Sequence, residues 1–195
     1  MYDAQADPYC YPGTAVLKNI PGLRKQEALE KFELIGSTQR SDEPLPAGRL
    51  SVRHYCAIHR HLFQDVYVWA GRFRTVRIAK DGSAFCYPEH IAREMAKLFR
   101  ELREQRYLTG LTPAEFAAAA AEFLSTLNAI HPFREGNGRT QTTILMLLAE
   151  HAGHPLSVRA FRPAAFLKAM VASFRGRDKL LAAEIRRLVM KGHRR

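Results

Sequence analysis

The sequence predicts an all-α domain carrying one small β-hairpin. Three observations lead there. Apolar residues recur at helical spacing over most of the chain, as at Ile58, Leu62, Phe63 and Val66. Strict two-residue alternation is strongest in a single stretch, Arg72-Phe73-Arg74-Thr75-Val76-Arg77-Ile78. Helix start and stop residues, Thr112-Pro113-Ala114-Glu115 and Gly153, frame two nearly all-apolar segments. No internal repeat appears, and no linker divides the 195 residues, of which 47% are apolar. A single domain over residues 1–195 is expected. A chain of this size buries roughly 70% of its extended surface on folding.

The elements follow in order. The opening Asp7-Pro8-Tyr9-Cys10-Tyr11-Pro12-Gly13 is aromatic and turn-rich, and is expected to lie extended against the domain. Residues 23–35 have helical spacing, with Leu29, Phe32 and Leu34 apolar. Residues 37–48, with Pro44, Pro46 and Gly48, predict a loop. Residues 50–69 are helical in period again, and Gly71 ends that region. The alternating stretch 72–78 predicts a strand, Asp81-Gly82 a turn, and residues 84–87 a short returning strand. Pro88 opens a charged helix with Ile91, Met95, Leu98, Phe99 and Leu102 on one side. Thr112 caps the next helix, Pro113 suits its first position, and Glu115 completes a capping box. That helix is apolar through Ile130, so burial on most sides is expected. A second apolar helix runs from about Arg139 to His151. Pro163 and Asp178 mark two further helix starts.

The formal charge of +11 favours anionic partners in general. No basic block has the form of a nucleic-acid arm. The one dense cluster is the tail, Arg186, Arg187, Lys191, Arg194 and Arg195, and aromatics do not interleave with cations. Dedicated nucleic-acid binding is therefore not expected; a nucleotide or an acidic protein uses the same charge. Three cysteines, Cys10, Cys56 and Cys86, with no CxxC, predict neither a disulfide framework nor a zinc site. No basic region followed by an apolar run opens the chain, so no signal peptide is expected. The longest apolar stretch, 116–130, contains Glu122 and is too short to span a bilayer. A cytoplasmic location is expected, in the producing cell or in a recipient cell if the protein is secreted.

Between the two apolar helices lies His131-Pro132-Phe133-Arg134-Glu135-Gly136-Asn137-Gly138-Arg139. A loop joining core helices has no packing need for this mixture, and each residue type has a chemical use. Gly136 and Gly138 lack Cβ, so the backbone can turn left-handed and approach a ligand closely. Arg139 opens the next helix, whose first N–H groups and dipole favour an anion. Asn137 adds a neutral donor, and Arg139 can fork onto phosphate oxygens. Glu135 is a hard oxygen ligand suited to Mg²⁺. His131 has the intrinsic pKa of a general base. Base, metal ligand and phosphate cradle together suit phosphoryl or nucleotidyl transfer. Phe133 is expected to plug the core. Taken singly, Gly-Asn-Gly is ordinary turn chemistry and His131 would serve as a helix cap. Taken together, nine consecutive residues of this composition argue for a site.

These residues resemble the Fic domain family, whose signature runs His-x-Phe-x-(Asp or Glu)-Gly-Asn-Gly-Arg-x-x-Arg. His131, Phe133, Glu135, Gly136, Asn137, Gly138 and Arg139 match it in order and spacing. The opening Asp7-Pro8-Tyr9 and Tyr11-Pro12-Gly13, the Trp69-Ala70-Gly71 corner and the hairpin near Phe85 also look like the short bacterial Fic toxins. The resemblance implies a Fic-fold helical bundle with its core motif at 131–142. It implies a protein adenylyltransferase moving AMP from ATP to a Ser, Thr or Tyr hydroxyl, with His131 as base and Glu135 holding Mg²⁺. Nucleotide would be bound by Arg134, Glu135, Gly136, Asn137, Gly138 and Arg139. The flap, about residues 72–87, would dock the target by strand addition through Asp81, Gly82, Ser83, Ala84, Phe85 and Cys86. Short relatives of this kind imply a type II topoisomerase subunit as target, and a toxin–antitoxin pair.

One position departs from the pattern. The closing Arg falls at Thr142. In the family that Arg grips the γ-phosphate and pairs with an inhibitory glutamate; a Thr does neither as a cation. Loss of a charged hydrogen bond is worth roughly 1.5–3 kcal/mol. Weaker nucleotide binding, another donor, or a Fic fold that only docks a partner are the alternatives this opens. The family's inhibitory pattern has no match; Thr38 with Asp42 is nearest and fails. Inhibition would then come from a small antitoxin supplying a helix in trans. His59 and His61 are two apart and face different sides of a helix, so no metal site is expected among His54, His59 and His61. Phe63, Trp69 and Phe73 are expected in the core.

Overall fold

The structure, a computed structural model, describes residues 7–80 and 83–190. Its central element begins where the capping box places it. Thr112 Oγ1 accepts from Glu115 N at 3.4 Å, and the Glu115 carboxylate accepts from Thr112 N at 2.8 Å. With Pro113 in the first turn, this opens a helix from Pro113 to Ile130. In chain order the elements are α1 Gln26–Ser41, α2 Val52–Phe63, β1 Ala79–Lys80, β2 Ser83–Ala84, α3 Pro88–Glu104, α4 Pro113–Ile130, α5 Asn137–His151, α6 Pro163–Phe174 and α7 Asp178–Leu188. Short 3₁₀ turns cover Arg106–Leu108 and Val158–Ala160.

α4 is the axis of the bundle. Phe116, Ala120, Ala121, Leu124, Leu127 and Ile130 are buried along it, and α3, α5, α6 and α7 pack against it. The alanines let neighbouring helices approach closely, while the large residues fill the gaps between them. α2 joins α1 to α5 through Tyr55, Ile58, Leu62 and Phe63. α3 buries Ile91, Met95, Leu98, Phe99 and Leu102, the stripe its spacing predicts.

Four boundaries differ from expectation. Residues 72–78 form no strand; β1 begins at Ala79 and pairs antiparallel with β2, Ala79 opposite Ala84 and Lys80 opposite Ser83. The stretch has no neighbouring strand to complete a ladder. Instead Arg74 N donates to Pro132 O at 2.9 Å, and the Arg74 side chain turns inward, with 2% exposure. The returning strand is Ser83–Ala84 rather than residues 84–87. The Asp81-Gly82 turn, and Lys191, Arg194 and Arg195 of the basic tail, lie outside the described residues. α1 continues past Ile35 to Ser41, because Leu29, Glu33 and Ser37 are buried on one face, two of them polar. α2 stops at Phe63, and the apolar residues after it pack in turns. Tyr67 stacks on Trp69 at 4.3 Å, and Tyr9 of the opening segment meets Trp69 edge-on at 5.6 Å. No helix of the described residues is long and apolar enough to cross a membrane.

Candidate active site

α4 ends at a residue in the left-handed region. His131 has φ 48° and ψ 63°, and its N–H closes the helix onto Leu127 O at 3.0 Å. A non-glycine residue held there costs roughly 1–2 kcal/mol, so its surroundings must impose it. The turn exposes the imidazole to a cavity and sends the chain back toward α5. His131 Nδ1 lies 3.3 Å from Asn128 O, an acceptor, so Nδ1 carries a proton. Phe85 stacks on the imidazole at 4.0 Å and meets Phe174 of α6 edge-on at 5.3 Å.

The next residues lock the loop internally. Phe133 is fully buried, stacked on His59 at 3.7 Å and Tyr55 at 5.4 Å. Asn137, also buried, accepts from Phe133 N at 3.0 Å and donates to Phe133 O at 2.8 Å. Its side chain is therefore spent on the loop, and only its main chain can meet a ligand.

The two glycines do different things. Gly136 sits at φ 81°, and a Cβ there would lie 2.5 Å from the Phe63 ring. Gly138 is in the first turn of α5 with no positive φ, and a Cβ there would meet nothing within 4 Å. The left-handed freedom expected of both belongs to Gly136 alone; Gly138 leaves space beside the helix start. The exposed Glu135 carboxylate accepts from Gly136 N at 2.9 Å.

Both arginines of the loop have protein partners. Arg134 donates from Nε to Asp7 at 2.9 Å, which ties the opening segment to the loop. Arg139 pairs with Glu33, donates to Ser37 Oγ at 2.7 Å and lies 4.7 Å over the Phe63 ring. Glu33 also accepts from the Tyr67 hydroxyl, whose pKa is pushed up by burial first and by this carboxylate second. The Arg139 side chain keeps 35% exposure. Thr142 donates its hydroxyl to Gly138 O at 3.0 Å, within its own helix.

These side chains line a cavity of about 1570 Å³. His131, Glu135, Gly138 and Thr142 form one wall, Ser37 and Thr38 of α1 a second, and Phe166 and Met170 of α6 a third. That exceeds the roughly 300–1,000 Å³ of ordinary small-molecule sites, leaving room for a second reactant.

Sequence reasoning missed four residues. Glu33 lies at i+4 from buried Leu29 and i−4 from buried Ser37, so a carboxylate on an apolar face was its available signal. His59 shares the buried face of α2 with Tyr55 and Leu62. Its Nδ1 accepts from Gly71 N at 2.8 Å, so Nε2 must donate to Glu135 O at 3.0 Å. Burial is the main reason its pKa falls to about 4. Asp7 and Arg74 had no local signal.

The comparisons with known proteins agree with this geometry. The Fic/DOC family model matches residues 49–149. A probable protein adenylyltransferase of Sinorhizobium fredii is 49% identical over 189 residues, covering 96% of this chain and 98% of its own. The protein adenylyltransferase VbhT of Bartonella schoenbuchensis is 36% identical over 95% of this chain, which spans 40% of that relative. The N-terminal Fic domain of a cell filamentation protein from Bartonella quintana, solved with bound ADP, superposes with a TM-score of 0.80 at 28% identity, over 93% of this chain and 94% of that one. The chain belongs to the Fic/DOC family.

Proposed function

We propose that this chain is a protein adenylyltransferase, moving AMP from ATP to a hydroxyl of a target protein. The observation that carries the reading is His131, turned left-handed at the end of α4 so that its imidazole faces the cavity beside the start of α5. The first turn of α5 offers main-chain N–H groups with no helical acceptor, and its dipole favours an anion. A triphosphate placed there lies next to the imidazole. Nε2 of His131 takes the proton of the target hydroxyl, whose oxygen bonds to the α-phosphorus as the bond to the bridging oxygen breaks and pyrophosphate leaves. The names of the relatives and the ADP-bound neighbour support a nucleotide substrate.

Glu135 fits a Mg²⁺ ion. It is exposed at the cavity wall, and one oxygen is taken by Gly136 N. No group of three or more His, Cys, Asp or Glu side chains could hold a metal among the described residues. A single carboxylate plus phosphates and water is the usual arrangement for this ion. When bound it offsets the charge that develops on the phosphates. Arg134, held by Asp7 through Nε and one terminal nitrogen, turns its other terminal nitrogen to phosphate oxygens, and Arg139, whose terminal nitrogens meet Glu33 and Ser37, adds its charge beside them. The flap of residues 72–87 docks the target by pairing with the short hairpin. A type II topoisomerase subunit as target, and an antitoxin as regulator, rest on the resemblance to short bacterial Fic toxins.

Thr142 favours a second reading, a donor other than ATP, because position 142 carries a hydroxyl turned into its own helix in place of a cation. Labelled ATP separates the two. Label from the α-position on protein, abolished in His131→Ala, supports adenylyl transfer. Label from the γ-position alone, or none from either, overturns it.

A further inference from the structure

Arg74 is among the most buried large side chains, with 2% exposure. Burial lowers its pKa, and none of the ion pairs among the described residues includes it. A guanidinium removed from water normally needs an anion. This one is satisfied by main-chain carbonyls. Nε donates to His131 O at 2.8 Å, and the terminal nitrogens to Val76 O at 2.7 Å, Cys86 O at 2.6 Å and Ile130 O at 3.2 Å. Ile130 and His131 end α4, so the cation sits at the negative pole of the longest helix. Val76 and Cys86 are the two legs of the flap. Two main-chain bonds reinforce the joint, Arg74 N to Pro132 O at 2.9 Å and Cys86 N to Ala129 O at 3.0 Å.

We propose that Arg74 is a positioning residue that fixes the flap and the backbone of His131 to one guanidinium, so that a docked hydroxyl and the base are set at one distance. This rests on the adenylyl-transfer reading. The left-handed turn at His131 needs an external hold, and the bond from Nε to its carbonyl supplies one. Both legs of the hairpin meet the same group, so the flap cannot shift without moving His131. The side-chain hydrogen bonds of Arg74 go to Val76, Cys86, Ile130 and His131, and none goes to Gly136 or Gly138.

The test compares Arg74→Lys and Arg74→Met with wild type in the full chain. An ammonium keeps the charge but cannot span all four carbonyls. The expected result is a fall in kcat of about 100-fold in the Met variant and about tenfold in the Lys variant, the scale of an ångström misplacement. The KM for target rises, while the Kd for ATP stays within about twofold. Hydrogen exchange in the Lys variant speeds up together at residues 84–86 and 129–132. A folded Lys variant with unchanged kcat, a proportional loss of ATP binding, or faster exchange in the flap alone overturns the proposal. The Lys variant decides if the Met variant does not fold. A wild-type chain that transfers nothing sinks the adenylyl reading instead, and the exchange comparison still tests the clamp.

Discussion

At the scale of single residues, the two glycines of the loop separate folding from binding. Gly136→Ala forces a methyl group to 2.5 Å from the Phe63 ring at φ 81°. The expected cost is about 2–4 kcal/mol in urea unfolding, from overpacking plus the left-handed backbone. Gly138→Ala meets nothing and should leave stability within about 0.5 kcal/mol, while ATP binding by calorimetry weakens as the methyl enters the cradle. Thr142→Arg should lower the KM for ATP by about tenfold or more, since a charged contact is worth roughly 1.5–3 kcal/mol. An unchanged KM in steady-state kinetics would show that the triphosphate does not reach this turn. His59 sets a pH dependence. Unfolded, it takes a proton near pH 6.5; folded, it stays neutral down to about 4. Its contribution is complete above the unfolded value and is lost as pH falls through this window, by up to about 3 kcal/mol. Urea unfolding compared at about pH 7 and about pH 4.5 should show that decline.

At the scale of elements, α1 is tied to α5 by the Arg139–Glu33 ion pair and the bond from Arg139 to Ser37. Glu33→Ala leaves Arg139 and the Tyr67 hydroxyl without their carboxylate. A loss of about 2 kcal/mol is expected, less than for a fully buried pair because Arg139 keeps a third of its exposure. Thermal melting checks it, and weaker ATP binding should accompany it as the guanidinium loses its orientation. Helix boundaries were legible where the signal is local. Thr112, Pro113 and Glu115 start α4 by contacts three residues apart, and the structure follows them. The alternation at 72–78 misled because a period of two says which residues oppose each other, not whether a neighbouring strand exists. Arg74 had the position of a solvent-facing cation and is buried among carbonyls 56 and 57 positions away. The loop 131–139 was legible as a candidate site because its polar residues are contiguous, and the structure places them at one cavity. Glu33 and Asp7 were not, because they reach Arg139 and Arg134 across 106 and 127 positions. Nothing in a local pattern encodes such a separation.

At the scale of the whole molecule, the bundle acts as a rigid frame for one cavity. Three helices supply its walls, and the opening segment closes onto its floor through Asp7 and Arg134. On the adenylyl-transfer reading, the far end of the phosphate tail would reach Thr142. Thr142 has turned its hydroxyl back into its own helix, so no positive charge at position 142 rewards a third phosphate over two. ATP and ADP should then compete on nearly equal terms, with an inhibition constant for ADP close to the KM for ATP. In a cell that is exhausting its fuel, the falling ratio of the two nucleotides would slow labelling directly, making the reaction a gauge of energy supply without any dedicated sensor.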